Sequence, residues 1–321
     1  MLHCTIEPIS RSCMSDSRHW NELDGMRGIL ALGVVFLHFG ANSFFIKNGF
    51  AGFQLQLSVD VFFLLSGFVL THSARNGVQF GQFIYRRFWR LAPVFFVTTC
   101  LSLAATSTLP HPLEFLGAVP LIGGDPVNGP AWSVAWEFYL PLTAVLLSVR
   151  IPQVAVRPLL LMSIVALGTV DIWVEDKAYY FARAFLGLGG GYLLYRSGFD
   201  LRVNVLLPVA FIGVVMLAAA AFPATGFLLP FVACAFILSG RHSRTFLSSA
   251  PCQMLGKLSY TLYLVHIPIL QLMERVADVG QDPVIKLVGV AVSVVAAYGL
   301  TIFVERPCMR GLRPTIAATA P

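Results

Sequence analysis

The sequence predicts an all-α integral membrane protein, a polytopic bundle of about ten transmembrane helices with both termini in the cytoplasm. Hydrophobic residues occupy 57% of the 321 positions and charged residues only 12%, with a mean hydropathy of +0.76. Soluble domains carry about 25% charged residues. The apolar residues also form runs near the ~20 residues that a helix needs to cross a bilayer. Runs of that length exclude a large soluble core and favour helices over a β-barrel.

Ten apolar segments follow one another with short loops between them. A polar N-terminal segment at 1–26 lacks the apolar core and cleavage site of a secretory signal, so we expect the first apolar run to remain as a helix. The membrane domain is predicted at 27–307 and a cytoplasmic tail at 308–321. The predicted spans are 28–46, 53–74, 91–109, 132–149, 158–174, 178–195, 203–222, 225–240, 258–277 and 284–304.

The distribution of Lys and Arg predicts the orientation. If the N-terminus is cytoplasmic and the spans alternate, 17 of the 22 basic residues lie on the inner side and 5 on the outer side. This bias follows the positive-inside rule. The outer residues are Lys47, Lys177, Arg183, Arg275 and Lys286.

The remaining composition argues against several other classes. The six cysteines form no CxxC pair and have no metal-ligand spacing with histidine, so we expect neither a disulfide framework nor a metal site. The net charge of +6 is spread over many loops, which orientation in a membrane explains better than binding of nucleic acid.

The first span carries two ionisable residues on one helix face. Arg27 begins the span and His38 lies near its middle. Eleven helical steps return to within ~20° of the same face and rise about 16 Å. Ionisable groups inside a bilayer are costly and mark candidate functional sites. The alternative is that His38 only bonds a neighbouring helix while Arg27 anchors the interface.

The second span adds Asp60 and Ser66. Counted from opposite ends of the two spans, Asp60 falls near the level of His38, where a carboxylate would hold the imidazole in one tautomer. Alternatively, Asp60 pairs with another polar group near the outer interface. Ser66 and Gly67 favour close helix packing, since small residues allow helices to approach in membranes.

A basic and aromatic cluster follows the second span. Arg86, Arg87 and Arg90 enclose Phe88 and Trp89 on the predicted cytoplasmic side. Guanidinium groups suit phosphate recognition, and an aromatic ring could stack on a base. Read by itself, the cluster is more typical of a cytoplasmic loop and its interfacial aromatic residues than of a phosphate site.

The fourth span places Glu137 close in sequence to Trp132, Trp136 and Tyr139. A carboxylate beside aromatic rings suits a sugar, whose hydroxyls bond the acid while its apolar face stacks on a ring. Trp132 and Tyr139 would also fit an interfacial belt.

The ninth span carries Tyr263 and His266 three residues apart, hence on one helix face. Pro268 is expected to kink this helix and to free backbone carbonyl groups toward a cavity.

These strings, in their order, resemble the membrane-bound acyltransferase-3 family over Glu22 to Pro307. The first, ELDGMRGILALGVVFLHF, carries the family's Arg-x10-His at Arg27 and His38, and RRFWRLAP carries its Arg-x-x-Arg at Arg87 and Arg90. The others are SVDVFFLLSGFVL, WSVAWEFY, LGKLSYTLYLVHIPI and VERP.

The resemblance implies a multi-pass enzyme of the bacterial inner membrane that O-acylates saccharides of lipopolysaccharide, exopolysaccharide or related glycans. Acyl-CoA, usually acetyl-CoA, would be the co-substrate, with no permanently bound cofactor. Expected partners are the lipid bilayer, a saccharide or lipid-linked saccharide and polysaccharide-assembly proteins.

Residue roles follow from combining the resemblance with the chemistry. His38, Asp60 and Arg27 are predicted to be catalytic, with His38 as general base. A transient acyl-histidine is a competing route. Arg86, Arg87, Arg90 and Ser66 are predicted to bind the donor. The predicted acceptor-binding residues are Glu137, Trp132, Tyr139, Tyr263 and His266. A transporter or flippase for a glycan precursor is the alternative function, since it too would place polar residues at mid-membrane.

Overall fold

The structure, a computed structural model, describes residues 20–40, 57–74, 80–106, 128–146, 151–174, 176–276 and 282–310. The predicted N-terminal segment up to residue 19 and the predicted tail from residue 311 lie outside the described residues. Regular secondary structure within these ranges is entirely helical, as predicted.

Ten helices of at least 12 residues occur in the described ranges, and each corresponds to one predicted segment. In chain order the ten are α1 Asn21–His38, α2 Ser58–Ala74, α3 Phe80–Thr106, α4 Ala131–Leu146, α5 Gln153–Gly168, α6 Asp176–Ser197, α7 Leu206–Ala221, α8 Leu229–Gly240, α9 Ala250–Val276 and α10 Pro283–Leu300. Five shorter helical pieces extend or precede them: Val170–Trp173 after α5, Pro223–Leu228 before α8, Phe246–Ser248 before α9, and after α10 the π turn Thr301–Glu305 followed by Arg306–Arg310.

The first helix begins and ends earlier than predicted, which moves His38 from mid-span to the last helical residue. Gly40 adopts a φ of 83°, a left-handed conformation that glycine enters without steric cost. Its N–H bonds the Leu37 carbonyl at 3.0 Å, and the N–H of Phe39 bonds Val35 at the same distance. The glycine therefore ends α1 just after His38.

The basic cluster lies within α3 and not in a loop, contrary to the prediction. Helix α3 begins at Phe80 and continues through Pro93 to Thr106. Buried Leu91 and Phe95 tie its middle to the core, so the preceding turns remain helical despite their polar side chains. Arg87 and Arg90 therefore project from consecutive turns of one helix.

Two helical stretches, Gly81–Thr106 and Pro283–Met309, are long and apolar enough to cross a membrane. Four shorter apolar stretches accompany them: Ser58–Ala74, Gln153–Gly168, Leu206–Ala219 and Ala224–Gly240. Helix α10 exposes Val292 at 41% and Val295 at 71%, and α7 exposes Phe211 at 51%. Apolar outer faces of this kind suit contact with lipid.

Contacts between helix ends divide the bundle into two ends. Trp20, just before α1, packs on His72 near the end of α2, and Arg241 after α8 lies over the Trp20 ring. We call this the basal end. At the opposite, distal end, Phe39 faces Gly289 near the start of α10, and Gly168 at the end of α5 faces Phe227. Successive helices thus run in alternating directions.

Two helix pairs form the centre of the bundle: α1 packs chiefly on α9, and α2 on α6. A Cβ atom at Gly67 of α2 would collide with the Leu188 carbonyl of α6, and one at Gly191 of α6 with the Leu64 carbonyl of α2. These glycines allow the two backbones to touch, as small residues do in membrane helices.

Candidate active site

Two histidines from distant parts of the chain meet near the distal end of α1. His266 Nε2 lies 3.2 Å from His38 Nδ1, and the ring centroids are 4.9 Å apart. His266 is fully buried, whereas His38 is exposed. The close packing of α1 on α9 brings the pair together, because each side chain projects from the face that meets the other helix.

Backbone carbonyl groups determine which ring nitrogen carries hydrogen in each neutral imidazole. His266 Nδ1 lies 3.2 Å from the Leu262 carbonyl oxygen and His38 Nδ1 lies 2.9 Å from the Val34 carbonyl oxygen. A carbonyl oxygen only accepts, so both Nδ1 atoms must donate. The one hydrogen of His38 Nδ1 is then shared in a three-centre hydrogen bond between the Val34 carbonyl oxygen and His266 Nε2. The Nε2 lone pair of His38 is left for chemistry.

The predicted contact between Asp60 and His38 is replaced by a different pairing for each residue. Asp60 Oδ1 accepts a hydrogen bond from Arg183 Nε of α6 at 2.8 Å, and both side chains are buried. The close packing of α2 on α6 places Arg183 next to Asp60, so the guanidinium neutralises the Asp60 carboxylate. His266, not Asp60, orients His38.

A cavity of about 190 Å³ opens beside Asp60 at the distal end. Asp171 lines it together with Asp60, and Gly168 and Gly226 come from the ends of α5 and the segment before α8. Asp60 thus forms part of a mixed polar and apolar wall.

Glu137 of α4 contacts both α2 and α3 and so connects three helices. Its Oε1 accepts from Ser66 Oγ at 2.6 Å. Arg87 Nε donates to the Glu137 backbone carbonyl at 2.8 Å, and Arg87 Nη2 lies 4.0 Å from Oε2. Ser66 therefore does more than permit close packing: it ties α2 to the α3–α4 contact.

Arg27, Arg87 and Arg90 contribute to one charged region toward the basal end. Arg27 lies 3.6 Å from Asp24, and its charge also interacts with those of Arg90, Glu137 and Glu305. Arg90 is exposed, as is Arg86, whereas Arg87 is largely covered. The predicted donor-binding arginines therefore share a helix but not an environment.

The predicted acceptor-binding residues of α4 have separate surroundings. Trp132 packs on Phe63 and Tyr180, with ring centroids 5.8 and 4.7 Å apart. Tyr139 packs on Phe138. Glu137 points to Ser66 and Arg87, so the structure does not bring the carboxylate and the two aromatic rings onto one surface. Tyr263 and His266 do share a face, with ring centroids 6.2 Å apart.

Three residues that the sequence argument missed complete the site region. Arg183 pairs with Asp60, as described above. Glu305, in the VERP string, ends the π turn of α10 and accepts from Thr261 Oγ1 at 2.9 Å. Asn128 donates from Nδ2 to the Leu264 carbonyl oxygen at 3.0 Å. Pro268 was the available signal for Asn128, since a proline frees the carbonyl four residues earlier.

Outside the ten long helices of the described ranges, Asp200 links two basal loops. It accepts hydrogen bonds from Arg202 at 3.1 Å and from His242. Slight burial acts to raise the pKa of Asp200, but the hydrogen bonds from His242 and Arg202 outweigh it and hold that pKa below its ordinary value. Such an exposed pair contributes little to stability.

Comparison with known proteins finds relatives over nearly the whole chain. The model of a family described as an acyltransferase domain matches residues 20–304. Acyltransferase MdmB of Streptomyces mycarofaciens is 27% identical over 93% of this chain and 94% of its own length. No solved structure matches the chain.

Two further relatives are longer proteins. O-acetyltransferase OatA of Staphylococcus aureus (strain NCTC 8325 / PS 47) is 24% identical over 92% of this chain and 58% of its own length. Peptidoglycan O-acetyltransferase OatA of Listeria monocytogenes is 26% identical over 93% of this chain and 57% of its own length. This chain thus spans somewhat over half of either OatA protein.

The family match covers nearly all the described helices, and members of this family are membrane proteins. The Arg-x10-His helix and the buried histidine of α9 both lie inside the matched residues. The chain therefore belongs to the acyltransferase-3 family and is an acyltransferase.

Proposed function

We propose that the protein is a multi-pass O-acetyltransferase of the bacterial inner membrane. It moves an acetyl group from cytoplasmic acetyl-CoA to a hydroxyl of an exported saccharide. The names of two relatives, O-acetyltransferase and peptidoglycan O-acetyltransferase, support both the acyl group and the acceptor class. The bilayer and the saccharide are its necessary partners, and polysaccharide-assembly proteins would deliver the acceptor.

The His38–His266 pair is the observation that carries this proposal. Its geometry leaves one unshared electron pair, on His38 Nε2, in an exposed imidazole, while His266 Nε2 accepts from the other ring nitrogen. A base must present a lone pair to the proton that it removes. The buried partner keeps the ring in the tautomer that does so.

The chemical step requires only the chain's side chains and the two substrates. His38 Nε2 takes the proton of the acceptor hydroxyl as the oxygen attacks the thioester carbonyl carbon. The carbon–sulfur bond breaks, and the leaving thiolate receives a proton from the imidazolium. The imidazolium is stabilised meanwhile by donating from Nδ1 to His266.

The two ends of α1 carry groups that would bind opposite ends of acetyl-CoA, with Arg27 at the phosphates and His38 at the thioester. Arg27 and His38 lie eleven residues apart, which corresponds to about 16 Å along a helix. Arg27 and exposed Arg90 would hold the CoA phosphates, since charge-assisted hydrogen bonds favour phosphate oxygens. The pantetheine arm would extend along the bundle toward His38. Arg87 and Ser66 would support this route by fixing Glu137.

Replacement of His38 by glutamine tests the proposal. Glutamine keeps a hydrogen-bonding side chain but cannot act as a base near neutral pH. We expect His38→Gln to insert and fold normally while transfer from radiolabelled acetyl-CoA to cell-wall saccharide falls at least ~10²-fold.

A matched control uses a histidine remote from the site. His242 lies in a basal loop and bonds Asp200, so His242→Gln should retain transfer. Near-normal transfer by His38→Gln would make His38 a packing residue and would remove the basis of the proposal.

A further inference from the structure

The α9 helix contains one backbone carbonyl group that its own helix cannot satisfy. Pro268 has no N–H, so the Leu264 carbonyl, four residues earlier, loses its helical partner. Asn128 supplies the missing donor, because its Nδ2 lies 3.0 Å from the Leu264 oxygen. The asparagine comes from the turn just before α4, far away in sequence.

This contact determines the orientation of the whole Asn128 amide. Nδ2 must face the Leu264 carbonyl oxygen, since an amide oxygen in its place would meet another acceptor. Oδ1 therefore points away from Leu264. Asn128 is 4% exposed, and its Oδ1 has no hydrogen-bond partner in the described part of the chain. Buried acceptors without a partner are rare and need an explanation.

The unpartnered oxygen belongs to a residue that bonds the stretch of α9 carrying His266. Leu264 precedes His266 by two residues, and His266 contacts His38. The first turn of α4 makes a second contact with the same stretch of α9, because Ser133 Oγ and Tyr263 Oη lie 3.0 Å apart. These two contacts fix the start of α4 against the segment of α9 that carries His266.

We propose that Asn128 is an acceptor-binding residue, and that its Oδ1 accepts a hydrogen bond from a hydroxyl of the saccharide. The inference rests on the proposed function and extends it to a named contact. A saccharide offers several hydroxyl donors around the one that reacts, whereas the thioester carbonyl at the reacting end of acetyl-CoA offers only acceptors. An oriented amide oxygen on a residue that bonds the same stretch of α9 as His266 thus matches the acceptor.

The two roles of the amide can be separated with Pro268→Ala. Alanine at 268 restores an N–H, which can bond the Leu264 carbonyl as in an ordinary helix. Asn128→Ala alone removes both the Nδ2 hydrogen bond to the Leu264 carbonyl and the Oδ1 acceptor. In the Asn128→Ala/Pro268→Ala double variant the carbonyl is satisfied again, and only the acceptor oxygen is absent.

The assay uses full-length protein in membrane vesicles with radiolabelled acetyl-CoA, chitotetraose as saccharide probe, and hydrolysis of acetyl-CoA as a second readout. We expect Asn128→Ala to lower thermal stability and the double variant to regain it.

Relative to Pro268→Ala alone, the double variant should raise KM for chitotetraose about 3- to 10-fold, the effect of one hydrogen bond. KM for acetyl-CoA and the rate of hydrolysis should stay unchanged. Asn204→Ala, which removes an exposed helix cap, is the control.

The inference would be overturned if the double variant had both the thermal stability and the KM for chitotetraose of Pro268→Ala. Asn128 would then serve only to bond the Leu264 carbonyl. A rise in KM for acetyl-CoA instead would also overturn it. A wild-type protein that acetylates no saccharide contradicts the proposed function, and the inference falls with it. Transfer by wild type with full rescue in the double variant contradicts the inference alone.

Discussion

Arg87 and Arg90 lie three positions apart on α3 and face different surroundings. Arg87 is largely covered and donates to the Glu137 carbonyl, whereas Arg90 is exposed in the charged region that also contains Arg27. A guanidinium that already bonds the protein has fewer donors left for a ligand. Within the motif, Arg87 therefore has a partner in the protein, whereas Arg90 is exposed.

We predict that Arg90→Ala weakens donor binding and that Arg87→Ala mainly destabilises the fold. Loss of a charge-assisted hydrogen bond costs roughly 1.5–3 kcal/mol, so KM for acetyl-CoA should rise about tenfold or more in Arg90→Ala. Thermal unfolding should change little in that variant but occur at lower temperature in Arg87→Ala. Steady-state kinetics and thermal unfolding of the purified variants measure both effects. Unchanged KM in Arg90→Ala would return this arginine to a purely topological role.

Because the Asp60–Arg183 pair is buried, these two charges can be required for folding as well as for function. Two buried charges repay their desolvation only with good geometry, which the 2.8 Å hydrogen bond provides. Removal of one partner leaves the other charge buried and unpaired. Asp60 can therefore be essential for folding whether or not it also serves catalysis, and a loss of activity in Asp60→Ala would not establish a catalytic role.

At the scale of elements, the α2–α6 contact holds Asp60 against Arg183. The backbones approach closely because Gly67 and Gly191 each face a carbonyl group of the other helix. Any side chain at either position must push the helices apart. The separation would also lengthen the Asp60–Arg183 hydrogen bond, so this interface links packing to the polar interior.

We predict that Gly67→Ala destabilises the protein by about 1–3 kcal/mol, the usual range for overpacking. Gly213 of α7 is the matched control, because a Cβ atom there meets nothing within 4 Å. Gly213→Ala should be neutral or stabilise by about 0.5–1 kcal/mol, since alanine favours helix. Thermal unfolding in detergent compares the two variants. Equal stability of the two alanine variants would contradict the close contact.

At the scale of the whole molecule, the sequence was sufficient to predict the ten long helices of the described ranges. A bilayer requires each crossing segment to satisfy its own backbone, so hydropathy and length alone identify such segments. The ends were less predictable because they depend on local turns. Gly40 ends α1 earlier than its apolar run suggests, and α3 continues through the polar cluster around Arg87.

Site residues could be predicted individually, but their partners could not. The sequence identifies candidate site residues because ionisable groups are rare in apolar runs, and these candidates include His38, Asp60 and Glu137. Their partners depend on which helices pack together. His38 and His266 are separated by 228 positions, and Asp60 and Arg183 by 123. No periodicity within one helix encodes such a pairing, so the predicted Asp60–His38 contact was wrong.

Membrane orientation remains the prediction that decides where each substrate enters. The charge bias predicts that both termini and the basal end are cytoplasmic, and the alternating helix directions are compatible with ten crossings. Cysteines introduced at Gly124 and Arg313, both outside the described residues, should react from opposite sides. An impermeant maleimide should label the first in intact cells and the second only after permeabilisation. Labelling of both from one side would contradict ten crossings, and labelling of Arg313 alone from outside would reverse the donor and acceptor ends.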